Sequence, residues 1–170
     1  MIYLNIGSNL VSEYGDRFDN INKAIKYLKI EKIKILKTSS FFETPSYPTK
    51  NYPKFINMAV EVKFPFNPMV LLKKISIIEK KMGRKRKVRN EPRVCDIDII
   101  DFKKMKKKTQ KLILPHPRAH NRNFVLLPLK QISPNWIHPI FNKKIDVLIN
   151  NLSVKSRNEI TRLKERAIFK

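Results

Sequence analysis

Apolar and polar positions alternate from the first residues: Ile2, Leu4 and Ile6 interleave with Tyr3, Asn5 and Gly7. A period of two places successive side chains on opposite faces, so this stretch predicts a half-buried strand. The period then lengthens. Asp16 offers an N-cap, and Phe18, Ile21, Ile25 and Leu28 recur at helical spacing. Ile33 to Phe42 is β-branched and aromatic, predicting a second strand that runs into the turn-rich Thr44-Pro45-Ser46-Tyr47-Pro48. Phe55 to Phe64 alternates again, with Ile56, Met58, Val60 and Val62 on one face and Phe55, Asn57 and Ala59 on the other. Asn67-Pro68 starts a second helix, Leu71, Ile75, Ile78 and Met82 form its buried stripe, and Gly83 stops it. Cys95 to Ile100 predicts a fourth strand.

The resulting order, βαββαβ, belongs to the α+β class and matches the ferredoxin-like sandwich. Such a sheet buries one face under its two helices and leaves the other open. Additional C-terminal elements follow: a polar connector over 103–111, a short apolar piece from Leu112 to Pro117, and a helix from Arg122 to Gln131. No linker interrupts the chain, so residues 1–152 read as a single domain. Residues 153–170 read as a basic tail, either amphipathic helix around Ile160 to Ile168 or a frayed end.

Composition narrows the class. The chain has 170 residues and is 42% hydrophobic, enough for one well-cored domain. No apolar run approaches a bilayer span, the N-terminus does not read as a signal peptide, and Cys95 is the only cysteine. These features predict a cytoplasmic protein with no membrane partner, and a monomer is expected. The formal net charge of +23 suggests either an anionic partner or a lysine-rich compositional bias. Charge alone does not choose.

Polar residues placed on the predicted faces are more selective. With Ile97 and Ile99 on the covered face, Asp96 and Asp98 project side by side from the open one, where Phe55 and Asn57 also point. Paired carboxylates suit Mg²⁺, a hard cation that also binds phosphates. A lone Asp-x-Asp is more often two surface carboxylates paired with lysines. Here it follows Gly83-Arg84-Lys85-Arg86-Lys87-Val88-Arg89-Asn90-Glu91-Pro92-Arg93, an arginine-rich loop in a chain whose charge is mostly lysine. Guanidinium forks bind phosphate bidentately, so loop and carboxylates together read as a phosphate clamp beside a metal site. P-loop and G-x-G-x-x-G fingerprints are absent. His116 and His120 have zinc-pair spacing, but Pro115 and Pro117 forbid the helix that would align them. Cys95 falls on the core face, and the 103–108 lysines read as a solvated loop.

These residues resemble the 6-hydroxymethyl-7,8-dihydropterin pyrophosphokinase family of folate biosynthesis. The resemblance is carried by Ile6-Gly7-Ser8-Asn9-Leu10, Ser39-Ser40-Phe41-Phe42-Glu43-Thr44-Pro45, Phe55-Ile56-Asn57 and Ile78-Glu79. It continues through Gly83-Arg84-Lys85-Arg86, Pro92-Arg93-Val94-Cys95-Asp96-Ile97-Asp98, Pro115-His116-Pro117-Arg118 and Arg122-Asn123-Phe124-Val125-Leu126, then Pro128-Leu129. It implies Mg-dependent transfer of pyrophosphate from ATP to the pterin hydroxymethyl oxygen, releasing AMP. By similarity, Asp96 and Asp98 hold two Mg²⁺ ions, and Phe55 and Phe124 sandwich a pterin whose polar edge is read by Asn57 and by the chain around Thr44, Pro45 and Tyr47. Arg84 and Arg93 join the aspartates as catalytic residues. Arg86, Arg89, Arg93, His116 and Arg122 face ATP, with Glu79, Ile99 and Lys111 against the nucleotide.

Some positions depart from the family pattern. Asn90-Glu91 stands where many relatives carry Trp-Gly, Ser46-Tyr47-Pro48 lacks a second Pro and a Gly, Ser76 replaces a Gln of some members and Lys111 an Arg. A degenerate, non-catalytic relative is one alternative. Another is an RNA-binding module of the same element order, but its Gly-aromatic signature is absent from 53–62 and two carboxylates on the sheet face would repel a phosphate backbone. No specific nucleic-acid partner is therefore expected.

Overall fold

A computed structural model of the chain describes residues 1–46, 50–83 and 91–163. The expected order is present: β1 Ile2–Ser8, α1 Arg17–Ile30, β2 Lys34–Thr38, β3 Phe42–Thr44, β4 Phe55–Lys63, α2 Pro68–Lys81 and β5 Asp96–Phe102. Then come the short pair β6 Lys107–Lys108 and β7 Ile113–Leu114, a 3-10 turn Ala119–Asn121, and α3 Asn123–Ile132. The described chain closes with α4 Ile145–Asn150, α5 Val154–Asn158 and β8 Thr161–Arg162.

β1 lies in the middle of an antiparallel sheet, between β5 and β4, and the far edge of β4 takes both β2 and β3. The single second strand expected over 33–42 is thus two. Ser39 explains the break: its backbone N–H donates to the Ala59 carbonyl at 2.9 Å, while its hydroxyl accepts the Ala59 N–H at 3.0 Å. A side chain has taken a ladder bond, and the chain leaves the strand to bury Phe41 edge-on against Phe18, ring centres 5.0 Å apart.

Both helix starts follow local chemistry. The Asp16 carboxylate accepts from the N–H groups of Phe18 and Asp19, and the Asn67 side chain from those of Met69 and Val70. α1 and α2 bury Ile21, Ile25, Leu71, Ile75 and Ile78 against Leu4, Ile6, Met58, Val60, Ile97 and Ile99 of the sheet. Cys95 is buried there, as expected.

The opposite face is not open along its whole length. α3 and α4 cover the end around Tyr3, where Ala59 and Ile100 meet Val125, Leu126, Leu129, Trp136 and Leu148 in a second core. A register shift between Tyr3 and Leu4 accompanies this contact, and the Trp136 indole N–H is satisfied by Asp101 at 2.8 Å. Part of the platform that an RNA module would expose is therefore under helices. The uncovered end lies around Gly7. In the C-terminal region, β8 pairs with β3 where sequence periodicity suggested a helix from Ile160, and residues 164–170 lie outside the described ones. Among the described residues, no helix is long and apolar enough to cross a membrane.

Candidate active site

The uncovered end of the sheet is built in cross-strand rows. Gly7 pairs with Asn57 on one side and Asp96 on the other, and Asn5 with Ala59 and Asp98. Directly opposed residues share a face, so Asn57, Asp96 and Asp98 converge there with Phe55, whose own partner is Thr44. Gly7 is what lets them approach. A Cβ at that position would stand 3.0 Å from Asn57 Oδ1 and 3.6 Å from Phe55 Cδ1. The amides form a chain: Asn5 Nδ2 donates to Asn57 Oδ1 at 3.5 Å, and Asn57 Nδ2 to Thr44 Oγ1 at 3.3 Å.

Two arginines connect this floor to its aromatic walls. Arg93 Nε is 3.1 Å from Asp96 Oδ2, and its guanidinium lies 5.4 Å from the centre of the Phe55 ring. Arg122 Nη1 is 3.5 Å from Asp98 Oδ2, with its guanidinium 5.3 Å from the centre of Phe124. Each half-buried ring therefore carries an arginine that also faces one carboxylate. On the far side of β5, α2 and the β6–β7 pair enclose a cleft of about 280 Å³ lined by Ser76, Glu79, Asp96, Asp98, Ile99, Lys111 and His116, among others. The carboxylates thus stand at the join between an aromatic slot and a mixed polar–apolar cleft.

A sequence profile of the 7,8-dihydro-6-hydroxymethylpterin-pyrophosphokinase (HPPK) family matches residues 3–134. The 2-amino-4-hydroxy-6-hydroxymethyldihydropteridine pyrophosphokinase of Aquifex aeolicus is 39% identical over 144 residues, which span 85% of this chain and 87% of that protein. The chain belongs to the HPPK family. The folic acid synthesis protein of Dictyostelium discoideum is 43% identical over 140 residues, 82% of this chain but 20% of its own length. The HPPK-DHPS of Plasmodium falciparum solved with pteroate shares the fold, with a TM-score of 0.72 at 16% identity over 95% of this chain and 47% of that one. The chain thus spans most of the Aquifex protein, a fifth of the Dictyostelium one and about half of the Plasmodium one.

Within this HPPK chain most of the expected site residues are brought together. Thr44, Phe55, Asn57, Arg93, Asp96, Asp98, Arg122 and Phe124 frame the slot, and Pro45 follows β3 at its rim, half-buried. Glu79, Ile99, Lys111 and His116 line the cleft. Glu79 is 3% exposed and accepts the Ile97 N–H at 2.9 Å, so it also pins β5 between the two aspartates. Tyr47, Arg84, Arg86, Arg89 and Asn90 lie outside the described residues.

Electrostatics sharpens the picture. Burial, then the neighbouring Asp96, pushes the Asp98 carboxyl up to about 6. Burial, then Arg122 and Arg118, pushes His116 down to about 4, so its ring is neutral near pH 7. Its Nδ1 accepts the Arg118 N–H at 3.1 Å, which leaves the proton on Nε2, 3.7 Å from Asp98 Oδ2. One role escaped sequence reasoning. Asn9, 1% exposed, donates through Nδ2 to Ser46 Oγ at 3.3 Å and the Pro53 carbonyl at 3.1 Å, while its Oδ1 accepts the Arg93 N–H at 2.7 Å. It ties the slot rim to the arginine segment; a buried amide directly after a strand was the available signal.

Proposed function

We propose that this HPPK chain transfers pyrophosphate from ATP to the hydroxymethyl oxygen of 6-hydroxymethyl-7,8-dihydropterin, with the roles divided along β5. The observation that carries this is the position of Asp96 and Asp98 between the aromatic slot and the cleft. Phe55 and Phe124 suit stacking on a flat heterocycle, and Asn57 with Thr44 supplies polar groups for its edge. The cleft takes the nucleotide, with Ile99 as apolar surface and Lys111, His116 and Arg122 near the phosphates. Arg84, Arg86, Arg89 and Tyr47 complete the two subsites in the same proposal.

The residues present fit Mg²⁺. Asp96 and Asp98 are adjacent on one face, and burial together with the nearby Asp96 charge holds the Asp98 carboxyl above its ordinary range. That repulsion is relieved by a divalent cation. Two ions held by these carboxylates would supply neutralisation of phosphate charge and of the attacking oxygen. The chain's own part is positional. Arg93 and Arg122 are half-buried beside the aspartates and would be free to turn to phosphate where a cation held the carboxylates. His116 offers its Nε2–H as a neutral donor. The slot and cleft hold the two substrates close enough for in-line attack, the main contribution proteins make to phosphoryl transfer. Both subsites come from one chain, which supports a working monomer, and the same proposal places it in the cytoplasm.

The test is direct: purified protein, MgATP and the hydroxymethyldihydropterin, with nucleotide products resolved. AMP formation dependent on the pterin is expected. ADP, or no product from folded protein, defeats the reading.

A further inference from the structure

The two walls of the slot come from separate parts of the chain. One is β3 and the segment joining it to β4, which carry Thr44 and lead to Phe55. The other is the start of α3, which carries Phe124. β3 has only three residues, and a strand that short at a sheet edge leaves backbone groups unpaired.

The chain after residue 152 touches both walls. β8 pairs with β3 through Phe42–Arg162 and Glu43–Thr161, and the Leu163 N–H donates to the Phe41 carbonyl at 2.9 Å. Glu159 meets Lys50, in the β3–β4 segment, at 3.0 Å. On the other wall, the Ser156 carbonyl accepts from Asn123 Nδ2 at 2.6 Å, and Asn123 Oδ1 accepts the Phe124 N–H at 2.6 Å. Asn123 therefore links the backbone of Phe124 to the C-terminal segment. A third tie closes the loop: Arg162 Nε donates to Ser40 Oγ at 3.1 Å, and Ser40 N–H donates to Gln131 Oε1, at the far end of α3, at 2.8 Å.

We infer that residues 153–163 form a strap that sets the spacing of the two walls of the pterin slot, with Asn123 and the Lys50–Glu159 pair as positioning residues for pterin binding. This rests on the pterin reading given above. The strap lies beyond residue 134, where the family match ends, and joins elements that touch the aromatic slot while leaving the nucleotide cleft alone. None of its side chains need contact a substrate. Its effect is to preorganise the slot, so its loss is paid in pterin affinity.

The experiment uses full-length Asn123→Ala, the charge reversals Lys50→Glu and Glu159→Lys, and their double variant. Steady-state rates are measured with the hydroxymethyldihydropterin varied at saturating MgATP, and the reverse. Asn123→Ala is expected to raise KM for the pterin about five- to tenfold, the scale of one lost hydrogen bond, with KM for MgATP within about twofold. Each reversal should raise KM for the pterin about two- to threefold, and the double variant should restore it. Pterin KM within twofold of wild type for all single variants overturns the strap. So does a parallel rise in both KM values, which would mark a general structural loss. If wild-type protein yields no AMP from the pterin, the functional reading fails first, before any variant is compared, and the strap falls with it.

Discussion

Two carboxylates and two guanidiniums meet between Phe55 and Phe124, each charge held by one of opposite sign. The arrangement explains how so many charges share a partly buried place: each aspartate faces an arginine, and in the proposed reaction these are the groups that would hold a cation and phosphate. Asp98→Asn keeps the shape and removes the charge. Turnover should fall roughly 10³-fold or more, on the order of 4 kcal/mol of transition-state stabilisation, with the circular dichroism spectrum unchanged. Near-normal AMP production by this variant would sink the metal-holding role. Gly7→Ala makes a different demand. Its Cβ would crowd Asn57 at 3.0 Å, so a cost of roughly 1–3 kcal/mol in stability, read from denaturant unfolding, should accompany weaker pterin binding. Wild-type stability and pterin KM would show that Asn57 yields without consequence. Alternation along β5 was enough to aim Asp96 and Asp98 at the right face. The stacking of Arg93 on Phe55 was not legible, because it depends on a side chain crossing from one segment to another.

Elements whose ends are decided locally are the ones that sequence reasoning located well. The Asp16 capping box and the Asn67-Pro68 start are written within four residues of the helix they open. Asp16→Ala should therefore cost about 1 kcal/mol, visible as a Tm lower by several degrees, without moving either KM. An unchanged Tm would mean that α1 is held by packing alone. Elements that need a distant partner were misread. The second strand divides because Ser39 bonds to Ala59, and β8 is a strand only because β3 offers an edge. α4 was not read at all, since its apolar face is matched to α3 and the second core. That layer also carries a pH dependence. Burial, then His120, pushes His138 down to about 4 from an ordinary 6.5. Between these values the unfolded chain takes up a proton that the folded chain refuses. The contribution to stability is full above about pH 6.5 and declines as pH falls toward 4. His116, lowered alike, adds to this slope and Asp98, raised to about 6, opposes it, so the share of His138 is read as a difference: His138→Gln should lose part of the dependence of the denaturant midpoint on pH between 6.5 and 4 that wild type shows. An equal slope in that variant would assign the effect elsewhere.

Over the whole molecule, a net charge of +23 divides into two populations. Arg84, Arg86, Arg89, Arg93, Arg118 and Arg122 fall within one stretch of the chain, and of these Arg93 and Arg122 face the carboxylates. Lysine supplies most of the rest, along helices, strand edges, connectors and the C-terminal region, including exposed Lys37 on β2 and Lys50 and Lys54 before β4, each of which meets a single glutamate. The two populations should respond differently to salt. Diffuse lysine charge attracts any polyanion through counterion release, so affinity for a random single-stranded RNA should fall steeply with ionic strength. A contact covering about five phosphates loses roughly 100-fold between 50 and 200 mM salt. A nucleotide held as proposed, in a cleft beside half-buried arginines and paired aspartates, is screened far less, because the Debye length acts mainly on exposed charge. KM for MgATP should therefore change by less than about threefold over the same range, and excess RNA should not inhibit turnover at 200 mM salt. RNA binding that survives 200 mM salt, or RNA that competes with ATP there, would show that the lysine population forms a specific site of its own.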